Sequence, residues 1–235
     1  MTQPKILFLA STHGDERFSI PILRSLESEF LGSFDWFIAN ERARARNVRF
    51  TEADLNRSAP GNPASPLYEM RRAYEILEIA KRYVCVIDIH GTTANSGIFV
   101  IVTNPSPRNI ALAASLPIHN VVIWTAKETQ RQGPITRFVP CGLEIECGPK
   151  SSPDLADHLR RILVEILWRG FVLDPSRSQT WFRVYGSLTS GPSDLRDFEL
   201  TEVDEEQFYP LLVSQYRAAL CYKMEILDIN KLCLF

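Results

Sequence analysis

Short apolar runs and amphipathic stretches of helical period alternate through most of the chain. Strand-like runs fall at 5–10, 36–39, 84–89, 98–103, 120–124 and 142–147, and helical patterns at 17–30, 67–82, 107–116 and 153–171. Such alternation predicts an α/β fold with helices packed on a largely parallel sheet. Two helix starts are marked by Ser followed by Pro: Ser65 and Pro66, then Ser152 and Pro153, with Gly170 near the end of the second. The segment SAPGNPASP, 58–66, reads as a lid or binding loop. After Asp174-Pro175 the pattern changes to TWFRVYGSL, an acidic patch over 199–206 and ALCYKMEILDI. The expectation is a larger α/β domain over 1–175 and a small β-rich domain over 176–235.

Composition narrows the function classes. With 235 residues and 45% apolar content, a sizeable core is affordable. A net charge of −2 gives no general attraction for nucleic acid or for an anionic membrane. The opening MTQPKILFLA lacks the features of a signal peptide, and no run is long enough to span a bilayer. Five cysteines without a CxxC pair read as reduced thiols, which predicts a cytoplasmic protein. Self-association as a homo-oligomer stays open.

Candidate chemistry begins where strands end. KILFLASTHGDERF carries an apolar run into His13, with Glu16 three residues on, and YVCVIDIHGTT does the same with His90. A His-x-x-acid pair arises too often by chance to mark a site alone. In α/β sheets, however, functional groups gather beyond the carboxyl ends of strands. Two imidazoles and one carboxylate with an open position form the ligand set of a catalytic zinc, here His13, Glu16 and His90. Asp88, two residues before His90, could orient that ligand. The bland alternative is two histidines satisfied near helix starts, with Asp15 and Glu16 answering the helix dipole. His119 and His158 have no partner at ligand spacing. In GLEIECGPK, period-two alternation puts Glu144 and Glu146 on one face; Glu146, nearer the strand end, is the candidate general base. The tail of NERARARNVRFTEADLNR sets Asn56 beside Arg57, a pairing suited to a carboxylate, whereas Arg42 and Arg44 are expected on a solvated face.

The ordered set THGDE, DLNR, YEMRRA, DIHGTT and EIECGP resembles the succinylglutamate desuccinylase/aspartoacylase family, zinc deacylases related to zinc carboxypeptidases. The resemblance spans roughly residues 5–171. It implies a zinc carboxypeptidase-like α/β/α sandwich with a mixed central sheet and one zinc on His13, Glu16 and His90. It also implies that Glu146 acts on the water, Asn56 and Arg57 hold the substrate's α-carboxylate and Arg49 polarises the scissile carbonyl. Arg137, in GPITRF, resembles the arginine that reads a second carboxylate, though its spacing to Glu146 differs from the family's. The expected substrate is an N-acyl amino acid, or a short peptide, with a free carboxylate.

Departures from the pattern bear on substrate preference. Asp15 and Gly91 stand where the family often has Asn, and the part after 175 is shorter, which predicts loss of a substrate-contacting tyrosine. Two other functions share these residues: a metallocarboxypeptidase acting on peptide C-termini, and an idle metal-binding homologue. Glu16 and His90 are only 74 residues apart, closer to the deacylase arrangement.

Overall fold

The computed structural model describes residues 5–125, 129–174 and 176–229. The predicted strands form as β1 (Ile6–Ala10), β2 (Phe34–Ile38), β3 (Cys85–Gly91), β4 (Gly97–Val102), β5 (Asn120–Ile123) and β6 (Gly142–Gly148). The helices are α1 (Ser19–Glu29), α2 (Glu41–Arg46), α3 (Tyr68–Ala80), α4 (Pro107–Ser115) and α5 (Pro153–Arg169). The C-terminal part supplies β7 (Thr180–Leu188), β8 (Thr201–Val203), β9 (Glu206–Leu211) and β10 (Cys221–Ile226). Among the described residues these ten strands make one mixed sheet, in the order β2-β1-β3-β6-β4-β5-β7-β10-β9-β8. Strands β2, β1, β3 and β6 are parallel, whereas β4 runs antiparallel to β6 and parallel to β5. Strand β7 pairs parallel with β5, so the C-terminal strands continue the same sheet.

Period-two alternation divides the layers. Ile6, Phe8, Ile87, Ile89, Leu143 and Ile145 pack against α1, α4 and α5, and Leu7, Leu9 and Val86 pack against α3. That is the α/β/α arrangement expected. Helix α1 shows how it is held: neither end has a side-chain cap, yet Leu23 and Leu26 are fully buried. Each such burial contributes about 2 kcal/mol, more than a typical cap, so packing fixes α1.

Several local expectations give way. Ser65 does not cap α3, because the helix starts beyond Leu67 and the Ser65 hydroxyl accepts from the Leu67 amide at 3.2 Å. The loop over 58–66 is tied to its neighbours: Ala59 bridges Gly133, and the Asn62 amide donates to the Met70 carbonyl. Helix α2 was hidden inside the arginine run, since only Ala43 of its six residues is buried. Asn40 caps it, accepting from the Ala43 amide at 3.1 Å. Arg44 is partly buried, with its Nε lacking a partner, instead of lying on a solvated face. Cys85, Cys141, Cys147 and Cys221 are free and buried; Cys233 lies outside the described residues.

Candidate metal centre and substrate cavity

Strand β1 delivers the chain into a tight turn that carries His13 and Glu16. Ser11 takes a left-handed φ of 53° and its hydroxyl donates to the Glu16 carbonyl, while the Glu16 amide donates to the His13 carbonyl. Gly14 is required there: a Cβ would sit 2.1 Å from the Ala43 carbonyl carbon, inside the α2 backbone. Strand β3 delivers His90 beside this turn. His13, Glu16 and His90 are all buried.

The three side chains converge through particular atoms. His13 Nδ1 lies 2.8 Å from Glu16 Oε1, and His90 Nδ1 lies 3.3 Å from both His13 Nδ1 and Glu16 Oε2. Zinc ligands about 2.0–2.1 Å from a tetrahedral centre stand roughly 3.3 Å apart, so the donor set fits that ion. The outer nitrogens support the same tautomers. His13 Nε2 is 3.1 Å from Asp54 Oδ1, leaving Nδ1 free to ligate. His90 Nε2 lies 3.1 Å from Asp88 Oδ2, an ion-pair distance without hydrogen-bond alignment, and Asp88 accepts from the Thr12 hydroxyl at 2.8 Å. The Glu16 Oε2 atom also accepts from the Gly91 amide at 2.9 Å.

Electrostatics point the same way. Burial alone would lower His13 and His90, yet the charges of Glu16 on the first and Asp88 on the second carry both above the ordinary imidazole value. Burial opposes ionisation of Glu16, but the adjoining histidines hold it below the usual carboxylate range. This cluster of buried carboxylates calls for positive charge.

The parallel register of β3 and β6 sets Asp88 beside Glu144 and His90 beside Glu146. Both glutamates are buried and line the cavity that also contains His13. Burial pushes Glu146 up to about 7, with the neighbouring charges of Glu16 and Glu144 adding and that of His90 opposing. Burial likewise raises Glu144, which sits 3.4 Å from the Thr136 hydroxyl.

The cavity encloses about 490 Å³ and brings Arg49, Asn56, Arg57 and Arg137 to its walls. Asn56 Oδ1 is buried without a hydrogen-bond partner, and Arg57 Nη1 donates to the Asn56 carbonyl at 2.8 Å. Arg137 Nη1 donates to the Gln130 carbonyl at 2.9 Å, and its guanidinium lies 5.4 Å from the Phe138 ring centre.

Sequence reasoning missed three residues. Asp54 joins the two halves of the site, since Oδ1 meets His13 and Oδ2 accepts from Arg49 Nε and Nη2 at 3.2 and 3.1 Å. Its place two residues before Asn56, capping the turn Leu55–Arg57, was the available signal. Glu69, in the first turn of α3, is fully buried and anchors the segment leading to Asp54. Its Oε1 accepts from the Thr51 amide (2.8 Å), the Thr51 hydroxyl (2.6 Å) and Asn40 Nδ2 (3.3 Å); Oε2 accepts from the Glu52 and Ala53 amides at 3.2 and 3.1 Å. Third, a tyrosine of the C-terminal part does stand at the cavity, contrary to the expected loss. Tyr216 lines it, and burial pushes its phenol up to about 12, Glu146 adding. The segment between β9 and β10 returns to the cavity, bringing Leu212 and Tyr216 to its wall.

The departures near the centre also have structural reasons. The Asp15 carboxylate pairs with Lys150 Nζ at 2.7 Å. A Cβ at Gly91 would come within 2.6 Å of the Phe18 ring, so Phe18 fills the space a larger residue would need.

Comparison with known proteins settles the relationship. The profile of the succinylglutamate desuccinylase/aspartoacylase catalytic domain matches residues 2–167. The chain belongs to that family. A probable aspartoacylase of Prochlorococcus marinus (strain MIT 9515) is 30% identical over 168 residues, covering 63% of this chain and 55% of that protein. One from Acaryochloris marina (strain MBIC 11017) is 29% identical over 163 residues, covering 62% and 55%. The chain thus spans about half the length of the curated relatives it matches. Murine aminoacylase 3 shares the fold at a TM-score of 0.75 and 20% identity, over 97% of this chain and 96% of that one. The succinylglutamate desuccinylase of Chromobacterium violaceum does so at 0.71 and 16%, over 96% and 86%. The α/β/α sandwich with a mixed central sheet that the resemblance implies is therefore the fold observed, and these two proteins share it. No described helix is long and apolar enough to cross a membrane.

Proposed function

We propose that the chain is a zinc-dependent hydrolase that cleaves the amide bond of an N-acyl amino acid bearing a free carboxylate. One observation carries the reading: the side chains of His13, Glu16 and His90 approach one another to 3.3 Å or less at the strand ends, and the register partner of His90 is a buried carboxylate facing the same cavity. His13, Glu16 and His90 would hold one zinc ion. When bound, zinc supplies a Lewis acid that polarises a carbonyl and lowers the pKa of water.

The chain's own residues do the rest. Glu146, raised into the neutral range by burial, can take a proton from water and return it to the departing amine nitrogen. Asn56 and Arg57 line the cavity as a hydrogen-bonding pair for the carboxylate beside the scissile amide. Arg49, fixed by both nitrogens on Asp54, offers preorganised positive charge to the carbonyl oxygen as it becomes anionic. Asp54 and Asp88 orient the imidazoles. Four free, buried thiols support a reducing compartment, the cytoplasm.

The test is hydrolysis of N-acetyl, N-succinyl and N-formyl amino acids by zinc-loaded protein, each beside its carboxamide and beside C-terminal dipeptides. Release of amino acid from the acids, with little from the carboxamides, is the expected result. Equal turnover of acid and carboxamide contradicts the clamp, and preferential cleavage of dipeptides would make the protein a carboxypeptidase.

A further inference from the structure

Tyr216 reaches the cavity from the far part of the sheet. It is carried by residues 212–219, between β9 and β10, and strands β4, β5 and β7 separate β10 from β1, β3 and β6, at whose ends the ligand and base residues stand. Its ring meets Tyr222 edge-to-face with centres 6.0 Å apart. Besides burial, the charges acting on its phenol include those of Glu146, Arg49 and Arg57. Something has to hold the segment in that place.

Its own backbone does not favour the position. Leu212 and Ser214 take left-handed φ values of 55° and 58°, which such residues keep only where their surroundings impose it. Within the segment the Gln215 amide donates to the Leu212 carbonyl at 3.2 Å, and Tyr216 bridges Ala219. On one side Asp197 Oδ1 accepts from the Val213 amide at 2.9 Å. None of these contacts reaches the part of the chain that carries the ligands.

One side chain does. The Thr93 amide and hydroxyl both donate to Gln215 Oε1, at 2.9 and 2.5 Å. Among the described residues, Gln215 is the only member of 212–219 that hydrogen-bonds to that part of the chain. Thr93 stands three residues beyond His90 and is itself well anchored. The preceding Thr92 donates its amide to the Cys147 carbonyl at 2.9 Å and accepts from the Lys150 amide at 2.7 Å. With both lone pairs of one amide oxygen taken by a single residue, direction is fixed as well as distance.

We propose that Gln215 is a positioning residue: by capturing Thr93 it holds Tyr216 on the cavity wall, beside the groups that act on the substrate. The effect on rate rests on the deacylase reading above; the effect on Tyr216 does not.

Nitration of zinc-loaded protein by tetranitromethane, read residue by residue by peptide mass spectrometry, reports on Tyr216 without turnover. Tyr74 on α3, 37% exposed, is the internal reference. In Gln215→Ala, nitration of Tyr216 relative to Tyr74 should rise about fivefold or more, as expected when hydrogen bonds are lost. Gln215→Glu keeps an acceptor oxygen and should stay within about twofold of the native ratio. Tyr209 on β9 should not change in either variant. An unchanged Tyr216 in Gln215→Ala overturns the proposal, as does a Glu variant that behaves like the Ala variant or a rise at Tyr209 equal to that at Tyr216. Hydrolysis of an N-acyl amino acid is scored separately. Gln215→Ala should lower kcat/KM about fivefold in the native background and less than about twofold beside Tyr216→Ala, because the two residues act as a unit. Equal losses in both backgrounds would mean that Gln215 does not act through Tyr216. Release of Tyr216 in Gln215→Ala without turnover of any N-acyl amino acid by the native protein would sink the deacylase reading and leave the contact's role in holding Tyr216 standing.

Discussion

Glu69→Gln is the substitution whose cost the structure specifies most fully. The native carboxylate is fully buried and accepts five hydrogen bonds, three of them from consecutive backbone amides at residues 51–53. A glutamine amide nitrogen in place of Oε2 would face the Glu52 and Ala53 amides, donor against donor. Each buried donor left unpaired costs about 1–3 kcal/mol, so the variant should lose roughly 2–6 kcal/mol. In a domain of this size that corresponds to a fall in Tm of roughly 5–20 °C, read by circular dichroism at pH 7. An acid titration supplies a second check. Burial pushes the Glu69 carboxyl up, but the Thr51 donors dominate and hold it below its ordinary value. A depressed carboxyl contributes stability that is present above its unfolded pKa of about 4.3 and lost as pH falls through the folded value. The gap between native protein and variant should therefore close below pH 4. A Tm within 2 °C of the native protein at pH 7 would refute the reasoning.

Three further outcomes follow from the site and the sheet edge. Glu146→Gln should keep its zinc but lower kcat by about 10²-fold or more, with Glu144→Gln costing much less; equal effects would mean the wrong carboxylate has been chosen. Arg57→Ala should mainly raise KM, because the substrate carboxylate is charged throughout, whereas Arg49→Ala should mainly cut kcat, because the carbonyl oxygen gains charge only on attack. Asp197 is a carboxyl that burial raises to about 6, so the native state retains its proton where the unfolded chain has lost it. Stability should then fall by roughly 1–3 kcal/mol as pH rises from about 4 to 6. Asp197→Asn should flatten that slope in urea titrations, and an unchanged slope would count against it.

How much of this was legible depended on whether the signal was local. The alternation of Leu7 and Leu9 with Phe8, or of Glu144 and Glu146 with Ile145, is written in period two, and the helix layers follow from it. His13 and His90 stood out because each interrupts an apolar run at a strand end. Asp54 and Glu69 did not, since an acid before a turn or in a first helical turn is routinely a cap or a dipole partner. Their roles come from residues that only the fold brings near: His13 for Asp54, and the 51–53 backbone for Glu69. Helix α2 was hidden because its stability comes from the Asn40 cap and one buried alanine, without an apolar stripe. Tyr216 was missed for a topological reason, the return of the chain between β9 and β10 to the cavity.

The central claim is that His13, Glu16 and His90 hold a zinc ion on which amide hydrolysis depends. Amino-acid release from an N-acyl amino acid, followed while metal is removed by a chelator and returned as zinc, tests it most directly. The account predicts that release stops when the metal is removed and recovers fully at one equivalent of zinc per chain, with no recovery in the triple alanine variant of those residues. Release that persists after complete removal of the metal would contradict it.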